Sequence, residues 1–474
     1  MNLTTHPATI SAPQVATAAI GRYRWRICAL LFFATTLNYM DRQVLALLKP
    51  LLMDPATGIG LTEINYGYII TAFSVAYALG VLLAGGFIDR VGTRIGFATA
   101  VVVWTLAAMS HSLVSFPRVV AALNGGVRSI AQLLGSLGFQ HSHWLATLTG
   151  ISGAVVGFGI VRFVLGLGES GNFPACIKTV AEWFPQKERS LATGIFNSGA
   201  NVGALIAPLA VPWIARTLGW RYAFLFTGLF SVTWLVLWLK TYRRPEEHSR
   251  LGAAELAYIN SAPPEPAAKI AWVRLFPHRQ TWAFALGKAM TDPIWWFYLF
   301  WLPGFLSRQY GLPIGKIGLP LVVIYNMSAF GSIFGGWLPS KFIGMGWSAN
   351  RARKTAMLIY ASAVVPVVLV GRVHSVWSVV ALMSVATAAH QAWSANMFTL
   401  ASDMFPRRAV ASVVGIGTFG GSFLMIFIST LVGYVLQWTG GNYGPLFVAA
   451  GFGYLGAWAV IQTLAPRLER AALD

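Results

Sequence analysis

Along the chain, apolar residues accumulate in runs of 19 or more, and polar residues gather in short clusters between them. Neither the alternation of a half-buried strand nor the three-to-four spacing of an amphipathic helix dominates. Runs of this length match helices that cross a hydrocarbon core about 30 Å thick. Twelve such spans are predicted, at about 26–50, 64–87, 95–115, 151–181, 190–214, 219–241, 281–305, 317–341, 353–371, 375–404, 409–437 and 443–464. The reading is an all-α polytopic membrane protein.

Internal repetition divides the spans into two sets of six. The segment beginning at Gly168 aligns with that beginning at Ala389 at a constant offset of 221, with Phe184-Pro185 on Phe405-Pro406, Gly194-Ile195 on Gly415-Ile416 and Gly199 on Gly420. A second pair, Gly85-Gly86 and Gly335-Gly336, aligns at an offset of 250. Duplicated halves account for both pairs. The difference of 29 residues places an acid-free insert, about 112–150, in the first half. The expected organisation is a tail over 1–25, a six-helix half over 26–241, a central loop over 242–280, a second half over 281–464 and a tail over 465–474.

Composition agrees: 56% of residues are hydrophobic and 10% charged, against roughly 25% charged in soluble domains. The net charge of +19 would suit nucleic acid, but its distribution does not. Arg22, Arg24 and Arg26, Arg243 and Arg244, Arg351, Arg353 and Lys354, and Arg407 and Arg408 all fall on one side of the alternating spans. That asymmetry predicts cytoplasmic termini and no nucleic-acid partner. The first apolar run is a full-length span rather than a cleaved signal. Cys28 and Cys176 both lie inside spans, so neither a disulfide nor a metal site is expected. No cofactor is expected beyond a proton as coupling ion. An enzyme is not expected either, since no nucleophile with its base and orienter is found, and no phosphate-binding loop of an ATP-driven pump.

Against this apolar background, Asp41 and Arg42 stand side by side in the first span. Each charge at the centre of a membrane helix costs roughly 2.5–3.5 kcal/mol on insertion scales, which marks such residues as functional. Arg162 and Glu169 in the fourth span are seven apart, on one helix face. Two acids and two arginines sum to zero, so cross-helix pairing is predicted. Admitting a carboxylate would leave a charge of −1, and protonating Asp41 or Glu169 would restore neutrality while freeing an arginine for the substrate.

The loop GGFIDRVGTRIG, with Gly85, Asp89, Arg90, Gly92 and Arg94, resembles the signature between the second and third helices of the major facilitator superfamily. Longer strings resemble its anion/cation symporter branch, in particular bacterial hexuronate and sugar-acid/proton symporters: NYMDR at 38–42, GLGESGNFPACIKTVAEWFP at 166–185, RPEEHSR at 244–250 and HQAWSANMFTLASDMFP at 390–406. The resemblance implies a bacterial inner-membrane transporter that works by alternating access and functions as a monomer. It implies gating by Gly85, Asp89, Arg90, Gly92 and Arg94, proton coupling by Asp41 and Glu169, and substrate binding by Arg42 and Arg162. Asn38, Tyr39, Tyr77, Lys288, Gln391 and Asn396, on spans expected to face the centre, are further candidates for substrate hydroxyls. Trp295, Trp296 and Trp301 could stack on a sugar face, and His390 falls opposite Glu169 in the repeat. The rival readings are exchange of organic phosphate, facilitated diffusion of another anion, and a non-transporting sensor.

Overall fold

The computed structural model describes residues 21–56, 59–139, 150–261, 272–405 and 407–472. Much of the expected N-terminal tail, part of the insert (140–149) and part of the central loop (262–271) lie outside the described residues.

Within hydrocarbon every backbone N–H and C=O must be satisfied inside its own segment, so the apolar runs fold as helices. The first half comprises α1 (Tyr23–Met53), α2 (Glu63–Val91), α3 (Thr93–Ser110), the insert helix α4 (Pro117–Leu134), α5 (Gly153–Glu169), α6 (Asn172–Trp183), α7 (Gln186–Thr217) and α8 (Trp220–Thr241). A short α9 (Ala253–Ile259) stands in the central loop. The second half comprises α10 (Arg279–Tyr310), α11 (Gly318–Gly344), α12 (Ala349–Val364), α13 (Val376–Met404), α14 (Arg407–Trp438) and α15 (Gly444–Leu464). With α5 and α6 stacked as one crossing, twelve crossings result. The expected fourth span is therefore two helices. Pro174 has no N–H for the carbonyl four residues earlier, and the ladder breaks at Ser170-Gly171.

Among the described residues, nine spans are long and apolar enough to cross a membrane on length and hydropathy alone. The exceptions are α1, α10 and α13, which are long enough but carry Asp41-Arg42, Lys288 with Asp292, and His390-Gln391 respectively. α10 packs against both α1 and α13, and Asp41, Arg42, Lys288 and His390 are buried.

Packing repeats across the duplication. In the first half α1 lies on α7, α2 on α5, and α3 on α8; in the second half α10 lies on α14, α11 on α13, and α12 on α15. The halves join through α1 with α10, α2 with α14, and α7 with α11. Both ends of the described chain and the central loop lie on one face, here the terminal face; the loops after α1 and α10 lie on the opposite, distal face.

The junction between the halves is closed toward the distal face. A Cβ on Gly67 would come within 2.9 Å of the Ser429 carbonyl, and one on Gly433 within 2.8 Å of the Glu63 carbonyl, so the α2–α14 seam depends on glycine. Lys49 Nζ sits 2.7 Å from Glu63 Oε2 and 3.4 Å from the Tyr443 hydroxyl, and Arg308 reaches Glu63 Oε1 at 3.5 Å and donates to the Gly440 carbonyl at 2.7 Å. Tyr66 donates to the Phe300 carbonyl at 2.8 Å, and Thr71 meets Thr430 at 2.8 Å. Toward the terminal face, Gly85, Gly86, Gly194 and Gly336 look onto open space.

On the terminal face the central loop is fastened to the first half. Glu255 of α9 accepts the Tyr23 and Arg24 N–H groups, both at 3.1 Å, which places a carboxylate on the unpaired donors at the start of α1. Arg24 continues to Glu188 at 2.8 Å, and Tyr258 donates to the same Glu188.

Candidate functional site

Successive helix residues point about 100° apart, and Asp41 and Arg42 accordingly leave α1 in different directions. Arg42 turns toward α5, where its Nε donates to Glu169 Oε2 at 2.9 Å and its Nη2 lies 2.8 Å from the same oxygen. Its guanidinium is boxed by four rings, Tyr39, Phe73, Tyr77 and Trp296, at 4.9–5.3 Å from their centroids. Trp296 belongs to α10, so the box spans the junction of the halves. Asp41 turns instead to α8, where the Ser231 hydroxyl donates to its Oδ2 at 3.5 Å.

Arg162 and Glu169 lie two turns apart on α5. Gly166 and Gly168 between them let the neighbouring backbones in: a Cβ at 166 would strike the Phe73 carbonyl, and one at 168 the Trp104 backbone. Arg162 is only 1% exposed and Glu169 0%. Arg162 Nη2 donates to the Arg42 carbonyl at 3.3 Å, and its Nε and Nη1 have no hydrogen-bond partner among the described residues. One oxygen each of Glu169 (Oε1) and Asp41 (Oδ1) is likewise buried without one.

The predicted charge set is therefore brought together, but pairing is narrower than expected. Arg42 and Glu169 form the cross-helix pair; Arg162 and Asp41 form no ion pair among the described residues. The helical phase explains this, since the side of α1 that carries Arg42 faces α5 and occupies Glu169. Arg162 is left as a buried cation whose Nε–H and Nη1–H groups have no hydrogen-bond partner among the described residues.

Tyr39 and Tyr77 lie on the Arg42 box. Asn38 is buried with both amide atoms unpartnered. In the second half, Lys288 pairs with Asp292 one turn on, at 2.9 Å, and sits over Phe398. Asn396 donates to the Gly335 carbonyl at 2.7 Å and the Ala392 carbonyl at 2.9 Å, fastening α13 to α11. Gln391 is half-buried beside His390. His390 Nδ1 meets the Tyr454 hydroxyl at 2.5 Å and stacks on Trp295 at 4.8 Å. Trp301 packs edge-on against Tyr66.

In the loop after α2, Asp89 pairs with Lys178 of α6 at 2.9 Å, and Arg94 donates to the Leu239 carbonyl at 2.5 Å. Arg90 is exposed, and Gly92 turns the chain at φ 84°, a conformation that favours glycine. Sequence reasoning did not single out Phe73, which closes the aromatic box, Ser231 beside Asp41, or the distal cluster of Lys49, Glu63 and Arg308. The residues of that cluster stand at the ends of spans, where charges ordinarily reach water, so the sequence does not mark them.

Comparison with known proteins gives a consistent picture. A sequence profile of the Major Facilitator Superfamily matches residues 31–430. The chain is 29% identical over 458 residues to the hexuronate transporter of Escherichia coli K12, covering 94% of this chain and 96% of that one. It is 26% identical to a D-galactonate transporter of Escherichia coli O6:H1, covering 95% and 96%. Among solved structures, a D-xylose-proton symporter superposes with a TM-score of 0.68 at 15% identity, over 93% of this chain and 97% of that one. A bacterial homologue of the human lysosomal transporter Spinster, inward-facing and occupied, gives 0.64 at 18% identity over 94% and 96%.

Proposed function

The chain belongs to the Major Facilitator Superfamily, and from that premise we propose that this transporter, which is not an enzyme, imports a sugar-acid anion of the hexuronate class with a proton across a bacterial inner membrane. The observation that carries the reading is Arg162, buried beside an Arg42–Glu169 pair that is already closed, with its Nε and Nη1 lacking a hydrogen-bond partner among the described residues. A carboxylate that accepts from the second Nη2 hydrogen together with either Nη1 or Nε is held by two parallel N–H···O bonds. The names of the hexuronate and galactonate relatives support the same substrate class.

Coupling follows from the charge balance. The empty set of Asp41, Arg42, Arg162 and Glu169 is neutral, so a bound carboxylate leaves −1 among buried groups. A proton on Glu169 cancels that charge and releases Arg42 from its partner, and a proton on Asp41 does the former alone. Anion and proton then raise each other's affinity by one common factor. Tyr39, Tyr77 and Trp296 offer ring faces to the sugar, and Asn38 and Gln391 offer hydrogen bonds to hydroxyls. Lys288 and Asn396 act at one remove, through the pair with Asp292 and the α11–α13 clamp.

The basic clusters support a cytoplasmic terminal face, with both termini on it. On that orientation the closed distal seam faces outward, and the arrangement is the one that delivers substrate inward. The glycines and charges of the loop Gly85–Arg94 would re-form contacts across the halves when the terminal face closes.

Uptake of labelled galacturonate into vesicles under an imposed inward proton gradient tests this reading. Accumulation abolished by a protonophore, with glucuronate and galactonate competing, is expected. Uptake that ignores the gradient would leave facilitated diffusion or exchange, and no uptake of any sugar acid would remove the substrate class.

A further inference from the structure

The insert that distinguishes the first half contains α4, whose 18 residues serve no crossing. One face of α4 packs on the start of α5. Asn124 Oδ1 accepts the Gly153 N–H at 2.6 Å, and a Cβ on Gly157 would come within 2.9 Å of Leu123. At 100° per residue, Val119, Ala122, Ile130 and Leu133 share an arc of about 80° beside that face. Ile130 and Leu133 are 53% and 61% exposed. Leu113 and Phe116, just before α4 in the chain, and Ile160 on α5 are exposed as well. The remaining arc holds Arg118, Arg128, Ser129 and Gln132, and no Asp or Glu occurs anywhere in 112–150.

We propose that α4 lies in the headgroup layer of the distal leaflet, with Val119, Ile130 and Leu133 at the acyl boundary and Arg118 and Arg128 on phosphates of anionic lipids. An apolar arc flanked by an unbalanced basic arc is the composition that binds such an interface, and α4 packs on the start of α5, a helix that crosses the membrane. Because Asn124 holds the first turn of α5, the helix bearing Arg162 and Glu169 is tied to that layer.

Nitroxide labels on Leu133→Cys and Gln132→Cys, in the full chain in liposomes, test this without a transport assay; Cys28 and Cys176 are buried. The label at 133 should be severalfold more accessible to oxygen than to an aqueous nickel chelate, and that at 132 the reverse. The label at 133 should sit deeper in liposomes containing phosphatidylglycerol than in phosphatidylcholine alone, and Arg118→Gln with Arg128→Gln should abolish that difference. Water-exposed labels at both positions overturn the proposal, as does protection that depends on protein concentration, which would indicate a second copy. A depth indifferent to phosphatidylglycerol overturns the phosphate contact. Should Leu133→Cys fail to fold, Ile130→Cys carries the same expectation.

Discussion

α5 with α6 and α13 occupy the same place in the repeat, and they have been put to different uses. Where the first half has Arg162 and Glu169, the offset of 221 gives the second half Met383 and His390. Met383 is buried apolar filler, and His390 is held by Tyr454 and Trp295. α5 ends at Glu169 and the chain restarts as α6, whereas α13 runs unbroken to Met404. Charges in α1 likewise reach across to another helix, whereas Lys288 closes on Asp292 within its own helix. Duplication supplied the scaffold twice. The uncompensated hydrogen-bonding capacity at the centre lies mostly in the first half, and the second half supplies rings and rigid packing.

That asymmetry can be broken experimentally. Arg162→Met gives the first half the residue of the second, and sugar-acid uptake should fall at least about 100-fold, the equivalent of ~2.7 kcal/mol of lost charged hydrogen bonding. Retained uptake would show that the carboxylate binds elsewhere. Glu169→Gln should lose gradient-driven accumulation while exchange of preloaded substrate continues; normal accumulation would move the proton to Asp41. Lys288→Met alone should lower stability by about 1–2 kcal/mol, since Asp292 is left unpaired but partly exposed, and adding Asp292→Leu should recover most of it. Thermal unfolding in detergent reads both, and a double variant that folds well without transporting would give the second half a direct role. The smallest effect is expected of His390→Gln, which can still bond Tyr454, with uptake changed by no more than about twofold. A tenfold loss would bring His390 into the proton path.

Much of this was legible in the chain because the membrane makes polarity conspicuous. Asp41, Arg42, Arg162 and Glu169 stand out against apolar runs, and the repeats divide the chain into two halves. Pairing was not legible, because it depends on the rotational phase of α1 against α5 and α8, which no spacing within one span fixes. The break at Ser170-Gly171 had a signal in Pro174, but the apolar run continues through it. Phe73 is one of 30 phenylalanines, and only the fold brings it to Arg42. Lys49 and Glu63 sit where spans end, positions at which charges ordinarily reach water, so their burial against the opposite half had no mark in the sequence.

The neutrality of the central four charges has an electrical side. Moving one elementary charge across a membrane involves about 2.3 kcal/mol per 100 mV. With one anion and one proton aboard, the buried set still sums to zero, so its reorientation performs no electrical work and voltage leaves the loaded step untouched. A second proton would change this at once, since the same 100 mV would then favour inward accumulation by about fiftyfold. On the proposed coupling, the voltage dependence of uptake would count the protons that travel with each anion.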